Sequence, residues 1–92
     1  MTTLKITSAD IDENGFYKSD DLHHEGTIEI AADLGWVRFR LGVSATKRIV
    51  AKAGSGIEAG EGIAAGWGIE AGWGIKAGAG IKAGAGIKAG AG

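Results

Sequence analysis

An acidic segment near the N terminus has the residue spacing of a calcium loop. Oxygen-bearing side chains stand at alternate positions, a glycine follows the third of them, and another carboxylate comes after five more residues. The candidate ligands are Asp10, Asp12, Asn14 and Asp21. The last ligand is Asp, where the EF-hand pattern has the longer, bidentate Glu, and no helical pattern flanks the segment. A calcium site and an acidic Asx turn built on Asn14 and Gly15 are both consistent with this sequence.

Two adjacent histidines, His23 and His24, have acidic neighbours on both sides. Neighbouring side chains on a strand point to opposite faces, so one metal ion bound by both would need a special loop, and a solvated polar turn is the simpler interpretation. No nucleophile-elbow motif accompanies the serines and histidines, and the chain has no cysteine. We therefore expect no catalytic residue, no cofactor and no enzymatic activity.

Two of the three tryptophans are candidates for binding a partner. Trp67 and Trp73 occupy a repeated position that other units fill with small or polar residues, so we expect their indoles to project from the surface. Exposed aromatic residues are enriched among interface anchors, and packing over neighbouring glycine and alanine is the alternative. Trp36 lies in a bulkier part of the chain, and we expect it in the core or half-buried.

The elements that position these residues divide the chain into two halves. Residues 51–92 consist of seven hexapeptides, AKAGSG, IEAGEG, IAAGWG, IEAGWG and three copies of IKAGAG, and contain fourteen of the 18 glycines. In a strand, Ile and Ala two residues apart share the inner face, and the residue between them points outward. Each unit therefore predicts a short strand followed by a Gly-x-Gly corner, at which we expect positive φ values.

This short, fixed period predicts an all-β fold, a β-solenoid or parallel β-helix. Two hexapeptides per coil would make the coils flat, and three per coil, a period of 18, would make them triangular. With three per coil, neighbouring charges alternate in sign, whereas two per coil would place like charges in adjacent coils. The expected columns are Lys52 with Glu70 and Lys88, and Glu58 with Lys76. We therefore expect triangular coils of three hexapeptides.

Residues 1–50 contain most of the bulky apolar residues and lead into the repeat without a linker. Short strands are expected at residues 4–6, 16–17, 27–30, 36–41 and 49–51. In the alternating run 36–41, we expect Val37, Phe39 and Leu41 to face inward. This half is predicted to form irregular strands that cap the N-terminal end of one continuous domain.

Composition and charge exclude several classes of protein. The net charge of −1 argues against a broad basic surface, so we expect no direct binding of nucleic acid. No apolar stretch approaches the roughly 18 residues of a membrane span, and no signal segment opens the chain. With no cysteine, a disulfide framework is excluded as well, and we expect a soluble cytoplasmic protein.

From Gly26 onward, irregular strands followed by tandem Gly-Ile-(Glu/Lys)-Ala-Gly units resemble the small hexapeptide-repeat β-solenoid proteins of phages and mobile elements. Proteins of such elements often inhibit host defence, including CRISPR effector complexes. The resemblance therefore implies a non-enzymatic inhibitor of anti-CRISPR type that binds a host defence complex in the bacterial cytoplasm. The expected contact surface comprises Trp67, Trp73, Asp20, Asp21, Glu25, Glu29 and Asp33.

Two other functions stay open. No capping segment follows the last repeat in this sequence, which predicts a homodimer formed tail to tail through the C-terminal coil. A self-assembling structural solenoid, whose ends stack on one another, is the alternative to an inhibitor. A module that binds calcium or a carbohydrate is the third function consistent with the sequence.

Overall fold

The computed structural model describes residues 2–84 and 86–89, and these residues form a β-solenoid. Its strands are β1 (Thr2–Ile6), β2 (Leu22–His24), β3 (Gly26–Ile30), β4 (Gly35–Phe39), β5 (Val43–Ala45), β6 (Arg48–Ala51), β7 (Ser55–Ala59), β8 (Gly62–Ala65), β9 (Gly68–Ala71), β10 (Ile75–Ala77), β11 (Gly80–Ala83) and β12 (Gly86–Ala89). A 3-10 turn, Ser8–Asp10, follows β1. Among the described residues, no helix is long and apolar enough to cross a membrane.

The strands pair in parallel on three faces. Face 1 stacks β1, β3, β6, β9 and β12, face 2 stacks β4, β7 and β10, and face 3 stacks β2, β5, β8 and β11. The chain passes through faces 1, 2 and 3 in that order in each coil, and in the first coil Phe16 supplies face 2 through a bridge to Arg38. The predicted triangular solenoid is thus confirmed, with about four coils to which both halves of the chain contribute strands.

The coils become narrower toward the C terminus. The register partners along face 1 are Thr2 with Gly26, Ile28 with Ile49, Ile49 with Ile69, and Ile69 with Ile87, so their separation in the sequence decreases at every step. The wider coils enclose the rings of Tyr17 and Phe39, whose centroids are 5.3 Å apart. Larger interior side chains need a longer perimeter at close packing. The predicted coil of three hexapeptides is confirmed for the repeat, and longer coils precede it.

Isoleucine and alanine fill the interior of the repeat as the alternation predicts. Ile57, Ile63 and Ile69, one from each face of the solenoid, are at most 2% exposed, and the alanine two residues after each of them is also buried. Each buried isoleucine contributes roughly 1.5–3 kcal/mol relative to an exposed one. The interior of the described coils is a packed column of side chains without a cleft.

One inward assignment in the bulkier half is wrong. Val37 and Phe39 are buried as predicted, but Leu41 is 43% exposed. The strand β4 ends at Phe39, and the chain then turns from face 2 to face 3. Leu41 lies in that corner, where the alternation of a strand no longer determines which way a side chain points.

In the described Gly-x-Gly corners, the first glycine is required by close contact between coils. An ideal Cβ atom at Gly60 would lie 2.2 Å from the carbonyl oxygen of Arg40, and one at Gly66 would lie 2.0 Å from that of Thr46. The described glycines with positive φ are Gly15, Gly26, Gly35 and Gly54, all of which precede the isoleucine-containing units. The expected positive φ is therefore confirmed at the corner of the first hexapeptide, at Gly54, and wrong at the described corners of the isoleucine-containing units, where the constraint is steric contact with the preceding coil.

The first hexapeptide, AKAGSG, does not fold like the others. Ala51 is in register with Ala71, yet five residues separate Ala51 from Ile57, whereas three separate Ala71 from Ile75. Two additional residues therefore widen this corner between faces 1 and 2. The two additional residues also alter which residue of the next coil lies opposite Lys52, the charged residue that follows Ala51.

Ser55 fills the widened corner. Its side chain is fully buried, and its hydroxyl donates a hydrogen bond to the carbonyl oxygen of Ala31 and accepts one from the amide of Leu34 at 3.0 Å. Because both hydrogen-bonding roles are satisfied, burial of this polar group carries little penalty. Ser55 thus ties the widened corner to the turn of the preceding coil.

The outer charges follow the expected columns in part. The register confirms two predicted pairs, Glu58 with Lys76 and Glu70 with Lys88. The expected neighbour relation of Lys52 and Glu70 is wrong, because the widened corner brings Val50 into register with Glu70. The Lys52 ammonium instead lies 3.2 Å from the carboxylate of Glu29.

The contact at the repeat corners predicts the effects of two alanine substitutions. Gly60→Ala should lower the free energy of unfolding by about 1–3 kcal/mol, because the new methyl group overlaps the Arg40 carbonyl. Gly80→Ala is the matched control, since a Cβ there meets no atom within 4 Å. Urea unfolding followed by circular dichroism compares them. Equal stability of the two variants would contradict the packing of the corners.

Candidate functional site

The candidate calcium loop is an Asx turn whose carboxylates bind its own backbone. Asp12 Oδ1 accepts hydrogen bonds from the amides of Asn14 and Phe16, each at 2.9 Å. An Asp10 oxygen accepts one from the Thr7 amide at 2.9 Å, and the other lies 3.3 Å from the Lys18 ammonium. Within residues 2–84 and 86–89, no group of three or more His, Cys, Asp or Glu side chains is arranged to hold a metal ion.

These hydrogen bonds also change the titration of the two aspartates. The amide of Thr7 is the main cause that lowers the pKa of Asp10, and the amide of Phe16 is the main cause that lowers the pKa of Asp12. Both groups are ionised in the folded protein at neutral pH, as acceptors of backbone hydrogen bonds. The fourth candidate ligand, Asp21, lies apart from this turn and contacts His23.

A Ser-His-Asp arrangement on face 3 was not predicted from the sequence. Ser44 Oγ is hydrogen-bonded to His23 Nδ1, and His23 Nε2 lies 3.5 Å from Asp21 Oδ2. Ser44 and His23 are register partners in successive coils, and only knowledge of the coil length reveals that they meet. His24 is half-buried and His23 is exposed, which agrees with the expected opposite orientation of adjacent side chains.

The environment of this arrangement does not favour acyl transfer. The His23 side chain is 78% exposed, so water surrounds the imidazole. The strand that carries Ser44, β5, is paired on both sides, with β2 and β8, and its amides therefore serve the sheet. Much of the stabilisation of an oxyanion comes from preorganised hydrogen-bond donors in a site that excludes water. Around Ser44 and His23, the outer side of face 3 is open to water, and the amides of β5 are hydrogen-bonded within the sheet.

Trp73 packs on another tryptophan at the corner between faces 1 and 2. Its ring centroid is 5.8 Å from that of Trp36, and the Lys76 ammonium lies 5.1 Å from the Trp36 ring. Trp36 is half-buried, as expected, and its ring lies so close to Gly56 that a Cβ there would be 2.9 Å from two ring atoms. Trp73 therefore covers an aromatic cluster, although 43% of it is exposed.

Trp67 is exposed and lies against a cation. It lies at the corner between faces 3 and 1, is 52% exposed, and has the Lys47 ammonium 4.6 Å from its ring centroid. Its amide also donates to the Lys47 carbonyl at 2.7 Å, which places the two residues in successive coils of one corner. A cation over one side of an indole orients the ring without covering the rest of it. The two tryptophans thus lie at different corners.

Two of the acidic residues expected in the contact surface lie far from both tryptophans along the coil. Asp20 and Asp21 are in the corner between faces 2 and 3, and each has a basic neighbour. Asp20 Oδ1 lies 3.7 Å from Arg40, and Asp21 lies beside His23. These two carboxylates do not share a surface with the indoles.

The other three acidic residues border face 1. Glu25 lies in the corner that also contains Trp67, and Asp33 lies in the corner that contains Trp73. Glu29 lies on the outer side of face 1 between these corners, paired with Lys52. Five of the seven expected residues therefore surround face 1, with the acidic ones in the earlier coils and the indoles in the later ones.

A shallow groove lies on face 1 beside Trp67. Its volume is about 490 Å³, and it runs over Gly68 and Gly86, with Trp67 on one side and Glu70 and Lys88 on the other. Gly68 and Gly86 are register partners, so successive strands expose bare backbone along the floor of the groove. An exposed indole next to a strip of backbone is suited to contact an extended segment of another molecule.

The different surroundings of the two indoles predict different effects on stability. Trp73→Ala should lower the free energy of unfolding by about 1–2 kcal/mol through loss of the Trp36 contact. Trp67→Ala should cost less than about 1 kcal/mol, because it removes an exposed cation–π contact. Urea unfolding followed by far-ultraviolet circular dichroism measures both. A larger loss for Trp67→Ala would show that Trp67 is the packing residue.

Comparison of the chain with protein-family models, curated proteins and solved structures finds no match.

Proposed function

We propose that this protein is a non-enzymatic inhibitor that binds a partner protein through face 1 at the corner formed by Trp67. The main support for the proposal is the indole of Trp67, which is 52% exposed, oriented by Lys47 and bordered by a groove. Tryptophan is prominent among residues that dominate the energy of protein interfaces. Orientation of the indole before binding reduces the entropy lost when a partner docks.

The open shape of face 1 favours a macromolecular partner. Small molecules bind in concave sites that bury most of the ligand surface. The interior of the described coils is filled by apolar side chains, and the groove beside Trp67 lies on an outer face. A partner protein can cover both the groove and the indole because its own surface supplies the second wall.

The partner we propose is a host defence complex, such as a CRISPR effector, in the bacterial cytoplasm. Support for this choice comes from the resemblance of the Gly-Ile-(Glu/Lys)-Ala-Gly units to phage and mobile-element proteins. A rigid surface without catalytic groups is suited to inhibition by occupying a functional surface of the partner. Because the strands and the indole already have defined positions, binding does not require folding of the inhibitor.

A self-assembling structural solenoid, whose ends stack on one another, is the second candidate function, and the tail-to-tail homodimer would use the same C-terminal coil. Ile87 is 47% exposed at that end, whereas Ile69 in the preceding coil is 2% exposed. Residues 85 and 90–92, which belong to the expected contact, lie outside the described residues. Each of the three faces carries a lysine at this end, and the three are Lys76, Lys82 and Lys88. Two-fold stacking would bring these like charges together, which disfavours this assembly.

Plasmid-interference assays test the inhibitor. In bacteria with an active CRISPR system targeting a plasmid, the wild-type protein should restore transformation, and Trp67→Ala should reduce the effect at least about tenfold. Leu41→Ala is the matched control, because Leu41 is 43% exposed at the corner opposite face 1. It should behave as wild type.

Assays in representative strains of each CRISPR type complete the test, with variant levels checked by immunoblot. Absence of inhibition in every type would refute the proposed class of partner. Full inhibition by Trp67→Ala would refute the proposed surface. Growth of the oligomer with concentration, measured by sedimentation, would favour the structural alternative.

A further inference from the structure

We propose that the groove beside Trp67 binds an acidic, extended segment of the partner protein, with an apolar side chain of that segment resting on the indole. The inference depends on the proposed function, since it specifies the chemistry of the partner for the same surface. It also reverses the electrostatic expectation from the sequence, in which the acidic residues of this chain formed the contact.

The groove follows outward-facing positions that are aligned across successive strands of face 1. Arg48, Gly68 and Gly86 form one outer column on face 1, and Val50, Glu70 and Lys88 form the next. Glycine at two successive levels of the first column leaves the peptide groups uncovered. The raised indole of Trp67 on one side and the second column on the other confine a ligand to this strip.

The charges around the strip are mainly positive. Arg48 and Lys88 line it, and the Lys47 ammonium lies against the Trp67 ring. Among the described residues, the only carboxylate that lines the strip is that of Glu70, which is in register with Lys88. With Glu25, which lies in the corner of Trp67, the strip and this corner hold three cations and two carboxylates, so the net charge is positive where the indole provides apolar contact. A segment with acidic residues flanking an apolar one complements both features.

Arg48 is a cation on the strip that is available to bind a ligand. No carboxylate of residues 2–84 and 86–89 forms an ion pair with its guanidinium, whereas the nearby Lys52 is paired with Glu29. A guanidinium presents a planar set of donors that matches a carboxylate in a bidentate arrangement. An aspartate or glutamate of the partner therefore has a defined place next to Trp67.

Selection from a displayed library of random peptides tests this inference without knowledge of the partner. The immobilised full chain is compared with Trp67→Ala, with Arg48→Glu and with Lys82→Glu, which makes the same charge change on face 3. Circular dichroism and urea unfolding establish that each variant is folded. Binding of the enriched peptides is then measured by fluorescence anisotropy at two salt concentrations.

We expect enriched peptides with Asp or Glu beside an aromatic or branched apolar residue. Their affinity should fall at least about tenfold with Trp67→Ala and with Arg48→Glu, weaken with salt, and be unchanged by Lys82→Glu. Two results would refute the acidic character of the bound segment without refuting the proposed surface. One is that the peptides that depend on Trp67 are neutral or basic, and the other is that acidic peptides bind Arg48→Glu as well as they bind the wild type. Absence of any Trp67-dependent peptide would overturn this inference, and the interference assay then decides the proposed function separately.

Discussion

Direct contact between the backbones of successive coils is the constraint on which the rest of this structure depends. At Gly66 a Cβ would lie 2.0 Å from the Thr46 carbonyl oxygen, so only glycine permits the corner to rest on the coil before it. That contact keeps the strands of each face in register and allows a thin interior of isoleucine and alanine to pack closely. The abundance of glycine, which is usually typical of flexible chains, here produces a rigid stack.

The repeat carried most of the information from which the fold was predicted. Its period established the strand faces, and its charges identified the coil of three hexapeptides, as the pairing of Glu58 with Lys76 confirms. The burial of Ser55 and the exposure of Leu41 are not predictable from the repeat, because the length of a corner depends on packing against the preceding turn. The difference between the tryptophans was hidden for the same reason, since Trp36 meets Trp73 only after folding.

The architecture explains why the proposed binding function is assigned to the outside of this protein. A filled interior offers no site, whereas a stack of short strands aligns outward residues in columns on three faces. The coil length decides which columns adjoin, and it separates Trp67 and Trp73 into the two corners of face 1. In one column the outward positions are the glycines Gly68 and Gly86, which carry no side chain, and a groove therefore lies beside the Trp67 indole. The exposure of the Trp67 indole is predictable from the repeat, but the groove and the cations beside it follow only from the register of the strands.

Measured distances between chosen residues show whether three faces make one coil. The chain has no cysteine, so spin labels at engineered cysteines report only the chosen sites. Residues 64 and 82 are register partners on face 3, where neighbouring strands are about 4.8 Å apart. Paramagnetic resonance should show strong dipolar broadening for the pair 64 and 82, and weak broadening for the pair 64 and 76, which lie on different faces. The reverse result would mean a flat coil of two hexapeptides and would contradict the account.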